Sequence, residues 1–109
     1  MSEIDPNKAV DEILKNRDKF AKAKAERIYL EEFRKSKKAI LFQQSPTGTI
    51  AEREAYAYAH KEYLELLEAL KHAVEIEEAL RWMLVAAQAR IEIWRTNSAN
   101  NRALEAATR

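Results

Sequence analysis

The residues best suited to chemistry are acidic and crowd one stretch. Glu65, Glu68, His72 and Glu75 recur at spacings of three and four, with Glu62 and Glu78 beside them. That spacing stacks side chains on one face of a helix. Carboxylates three apart can hold a hard divalent cation such as Mg²⁺, and Glu with His suits zinc or iron. The competing reading is a solvated face knitted by local ion pairs such as Glu68–Lys71. Upstream there are only Glu31, Glu32 and scattered acids, so no second acidic set stands opposite. No metal and no cofactor are therefore expected.

Other chemistry is excluded more firmly. His60 and His72 are the only imidazoles, and neither lies near a usable Ser nucleophile, since Ser45 sits in a turn and Ser98 in a polar tail. With one Gly in 109 residues, no phosphate-cradling glycine loop can form. The absence of Cys removes disulfides, thiolate metal sites and a Cys nucleophile.

Basic residues offer a second candidate function. The 19 Lys and Arg nearly balance 18 Asp and Glu, for a net charge of +1. They are unevenly spread. Residues 15–38 hold ten basic and four acidic side chains and end in Arg34, Lys35, Lys37 and Lys38. Residues 49–78 hold three basic and eight acidic ones, and the chain from Ala79 onward five and two. Arg81, Arg95, Arg102 and Arg109 share one heptad phase, with Gln88 completing the row. Two basic regions could grip phosphates, with Trp82 or Tyr29 as stacking surfaces. Alternatively the basic first helix lies antiparallel to the acidic start of the second and is neutralised by it.

The elements that carry these residues follow from few punctuation marks. Asp5-Pro6 starts a helix: Asp accepts hydrogen bonds from first-turn amides, and Pro gives up only an amide left orphaned there. Ser45-Pro46-Thr47-Gly48 is the one strong turn, and Thr49 to Glu52 fits a capping box. From Thr49 onward there is no Gly and no Pro. The expectation is an all-α chain of one domain: helix 1 over about 6–43, a turn at 44–49, and helix 2 over about 50–96. Weak helix formers at 96–101 predict fraying or a separate segment over 97–109. Tyr58-Ala59-His60 is a second candidate break.

Helix 2 carries a heptad. One position reads Tyr56, Tyr63, Leu70, Glu77, Leu84, Ile91 and the other Ala59, Leu66, Ala73, Leu80, Ala87, Trp94, so eleven of twelve are apolar. A strict seven-residue repeat keeps its seam facing a partner through left-handed supercoiling. Glu77 inside the seam calls for a basic partner from helix 1 to fix register, or else is held for chemistry. Helix 1 places Val10, Ile13, Leu14, Phe20, Ala21 and Ile28 on one face and Leu30, Phe33, Ile40, Leu41 and Phe42 on a rotated one. Arg17, Lys24, Arg27 and Lys37 interrupt it, so no clean heptad emerges. An apolar stripe too wide for one partner helix predicts a long antiparallel helical hairpin that dimerises into a four-helix bundle or coiled coil. The oligomer seam is assigned to Tyr56, Tyr63, Leu66, Leu70, Leu80, Leu84, Ile91 and Trp94.

The stretch from Glu78 to Arg95, followed by Asn100-Asn101-Arg102, resembles a group of short helical proteins encoded by tailed phages and prophages. Ser36 to Leu41 and Glu52 to Tyr56 are similar to the same group, so the resemblance covers roughly residues 34–103. In that group a Pro is expected just after the position of His60, where this chain has Lys61. The resemblance implies a non-enzymatic accessory role in phage DNA metabolism or recombination, inside a bacterial host cell, and it identifies no site residues. All-α nucleotide pyrophosphohydrolases pair E-x-x-E with E-x-x-D on neighbouring helices; here Glu65-x-x-Glu68 and Glu75-x-x-Glu78 lie on one helix and the Asp is missing.

Three functions therefore stand as expectations. The first is a homo-oligomeric helical protein that binds a protein partner, with the Arg-rich C-terminal end as contact surface. The second is a nucleic-acid-binding module using Arg34, Lys35, Lys37, Lys38, Arg81, Arg95 and Arg102. The third is a divalent-metal nucleotide hydrolase built on Glu65, Glu68, His72 and Glu75. The polar N-terminus and the lack of a long apolar run predict a cytoplasmic protein with no membrane role.

Overall fold

The computed structural model describes residues 3–108. They form three helices, α1 (Pro6–Gln44), α2 (Ile50–Ala59) and α3 (Lys61–Thr108), and the fold is all-α. Asp5 caps α1, accepting from the amides of Asn7 at 2.9 Å and Lys8 at 3.4 Å. Thr49 caps α2, its Oγ1 accepting from the Glu52 amide at 3.2 Å.

Helix 2, expected over about 50–96 with Tyr58-Ala59-His60 as a candidate break, is divided at His60. His60 takes an extended backbone, φ −67° and ψ 138°. Its Nδ1 accepts the Glu62 amide at 3.1 Å, so the imidazole caps the helix that follows. Beyond the break α3 runs to Thr108, and residues 97–108 are helical rather than frayed. An established helix extends without paying a new nucleation cost, which carries weak formers along.

The chain packs as two compact units, Met1–Phe20 with Ala79–Arg109, and Ala21–Glu78. In the first, Arg90 of α3 bonds Glu12 of α1, while Ile4, just ahead of α1, lies beside Asn97 and Ser98. As one helix advances the other recedes, so the two run antiparallel. Ala9, Ile13, Asn16 and Phe20 of α1 are withdrawn from solvent, as are Leu80, Leu84, Ala87 and Ile91 of α3. Asn16 is kept satisfied by donating to the Glu12 carbonyl at 2.8 Å.

The second unit has its own core of Leu41, Ala57 and Tyr63, with Phe42 and Leu67 against it. Here α1 and α3 are again antiparallel, since Arg27 meets Glu77 and Lys37 meets Glu62. The inward row on α1 is Ala23, Arg27, Leu30, Arg34, Lys37 and Leu41; that on α3 is Tyr63, Leu66, Leu70, Ala73 and Glu77. Both rows step by three and four. Helix 1 thus carries the heptad that its sequence conceals, because Arg27, Arg34 and Lys37 occupy inward positions. Val10, Leu14, Ile28, Phe33 and Ile40, read as face-forming from sequence, are exposed.

Candidate interaction surfaces

The α3 heptad is occupied within the chain itself. Tyr63, Ala73 and Ala87 are buried, and Leu66, Leu70, Leu80, Leu84 and Ile91 are half-buried. These seam residues face α1 in their own units. Two expected members behave differently. Ala59 is exposed because the break at His60 resets the helix phase, and Trp94 stays 42% exposed. Tyr56 is half-buried with its ring edge-on to His60 at 5.5 Å.

Glu77 is the buried charge of the seam. Arg27 answers it with Nε to Oε2 at 2.5 Å and Nη2 to Oε1 at 3.0 Å, and gives Nη1 to Glu31 at 3.0 Å. The hydrogen bond to Glu77, then that to Glu31, raises the Arg27 pKa above its ordinary value. This fork fixes register and leaves the carboxylate fully engaged.

The basic residues are largely paired. Lys35 reaches Glu32 at 3.2 Å and Lys37 reaches Glu62 at 2.6 Å. The Lys37 hydrogen bond holds the Glu62 carboxyl below its ordinary range. Lys38 lies 4.6 Å from the Tyr58 ring centre, and its hydrogen bond to Tyr58 raises its pKa. Arg34 is half-buried in the α1 row. On α3, Arg81 stacks on Trp82 at 5.0 Å and Arg95 meets Glu92 at 3.4 Å. Arg102 is exposed. Arg109, which closes that row in sequence, lies outside the described residues.

Glu65, Glu68, His72 and Glu75 all lie exposed along α3. Lys61 approaches Glu65 at 3.7 Å and His72 approaches Glu75 at 4.0 Å. Among the described residues no group of three or more carboxylate or imidazole side chains converges on a metal-sized point. Nor is any helix among them long and apolar enough to cross a membrane.

A large apolar surface lies outside the pairings. In the first unit Trp82 is 59% exposed, with Val85, Ile93 and Leu104 also open. In the second, Tyr29 and Phe33 stack in parallel at 5.8 Å on the outside of α1, near Ile28. The outer row of α3 went unread in the sequence although its signal was there, in the three-and-four spacing of Trp82, Ala86, Ala89 and Ile93. The stronger seam on the opposite face masked it. Compared with known proteins, the chain matches no family model, no curated protein and no solved structure.

Proposed function

We propose that this chain is a non-enzymatic, self-associating helical interaction protein that acts on a protein partner as an accessory factor in phage DNA metabolism. One observation carries the self-association. After α1 and α3 have paired, each unit still exposes large apolar side chains, Trp82, Val85 and Ile93 in one and Ile28, Tyr29 and Ile40 in the other. Large apolar side chains left open to water after the helices have paired are the material of association surfaces. The phage setting rests on the resemblance over residues 34–103.

The test is sedimentation equilibrium over a wide concentration range, paired with anisotropy of labelled single- and double-stranded oligonucleotides at low and physiological salt. The expected result is an oligomer with no oligonucleotide binding. Binding that falls steeply with salt, as counterion release requires, and falls further in Arg95→Ala/Arg102→Ala, would replace this reading with a nucleic-acid-binding module.

A further inference from the structure

We infer that two copies of the chain associate through α3 alone, antiparallel, along the row Trp82, Ala86, Ala89 and Ile93. The inference rests on the self-association proposed above and assigns it a surface and a geometry. At 100° per residue this row lies roughly 160° around α3 from Leu84, Ala87 and Ile91, which face α1. Helix α1 therefore cannot cover it. Trp82 and Ile93 are 59% and 49% exposed, and Ala86 and Ala89 are exposed between them.

The row steps by four, three and four, the spacing of a coiled-coil seam. It is also self-complementary about its centre, large–small–small–large, as a two-fold interface requires. Antiparallel pairing sets Trp82 against the partner's Ile93 and Ala86 against the partner's Ala89, so the two backbones approach closely where the side chains are small.

Charge selects both the occupant and the direction. Arg81 and Glu92 flank the row on the same side of α3. An antiparallel second copy brings Arg81 alongside the partner's Glu92, and the two-fold repeats the pair. A parallel copy stacks Trp82 on the partner's Trp82 and leaves Arg81 and the partner's Glu92 on opposite flanks, eleven residues or about 16 Å apart along the axis, so the pair is lost. The Arg81 guanidinium, which lies over the Trp82 ring at 5.0 Å, would be carried into the contact.

Cysteine pairing reads this geometry directly, because the natural chain has no Cys. A disulfide needs Cα atoms roughly 4.4–6.8 Å apart. Facing alanines on close antiparallel helices meet that, whereas three residues off register adds about 4.5 Å along the axis. Ala86→Cys and Ala89→Cys chains, refolded together and oxidised, are expected to cross-link several-fold faster than either variant alone. Trp82→Glu is expected to lower the oligomer mass with helicity unchanged. If the natural chain is oligomeric yet the mixture links no faster than the single variants, or Trp82→Glu leaves the mass unchanged, this surface is wrong while self-association stands. A natural chain that stays monomeric at every concentration overturns both.

Discussion

Arg27 and Glu77 close a two-pronged ion pair between α1 and α3, with donor–acceptor distances of 2.5 and 3.0 Å. The Glu77 side chain is only 9% exposed, and the Arg27 guanidinium meets both of its carboxylate oxygens. Removing one member strands a charge, whereas removing both restores an apolar seam. Arg27→Met should therefore lower the melting temperature clearly. The double variant Arg27→Met/Glu77→Leu should recover most or all of the loss. Thermal melts of the two variants decide it: a double variant less stable than Arg27→Met contradicts the account.

The Lys37–Glu62 contact should make stability acid-sensitive. Glu62 is held below its ordinary pKa of 4.5 by the Lys37 hydrogen bond. A group whose pKa is depressed on folding contributes stability above its unfolded pKa and loses it as pH falls through the folded one. Melting temperature in the natural chain should thus decline on acidification below about pH 4.5 more than in Glu62→Gln. Parallel melts from neutral pH down to strong acid measure the difference, and superimposable curves would remove the contact from the account.

The bend at His60 accepts proline at the next position. His60 already holds the extended backbone that precedes proline, and Lys61 is the first residue of α3. Lys61→Pro should leave the fold intact and stabilise it by roughly 0.4–1 kcal/mol, through loss of unfolded-state freedom. Urea unfolding of the two chains checks this. Marked destabilisation would mean that the Lys61 amide is needed.

The end of α3 should be dispensable for stability. Residues 99–108 are helical yet exposed along their whole length. Deleting everything after Ser98 should change unfolding free energy by no more than about 0.5 kcal/mol. Circular dichroism should lose signal in proportion to the helix removed. A large drop in stability would show that the tail packs on something.

Much of this architecture was legible in the residues themselves. Asp5-Pro6 and Thr49 mark helix starts because capping is a local bargain between a side chain and the amides two or three residues on. The seam from Tyr63 to Ile91 is legible because periodic apolar burial writes itself into spacing. Glu77 announced its need for a basic partner, although nothing in the sequence distinguished Arg27 from Arg17, Lys24 or Lys37.

Tertiary structure decided the rest. Helix 1 looked out of register because Asn16, Arg27, Arg34 and Lys37 hold inward positions, and a polar residue reads as inward only once its partner or the half-open edge of the seam is in place. The division at His60 depended on an imidazole reaching the Glu62 amide and on a core of Leu41, Ala57 and Tyr63, drawn from three helices. The tail from Thr96 to Asn101 stayed helical against its propensities, because extending an existing helix costs far less than starting one. Local chemistry sets where helices begin; which of their faces turn inward is settled by contacts between residues far apart in the chain, 78 positions in the Glu12–Arg90 pair, and no local pattern encodes those.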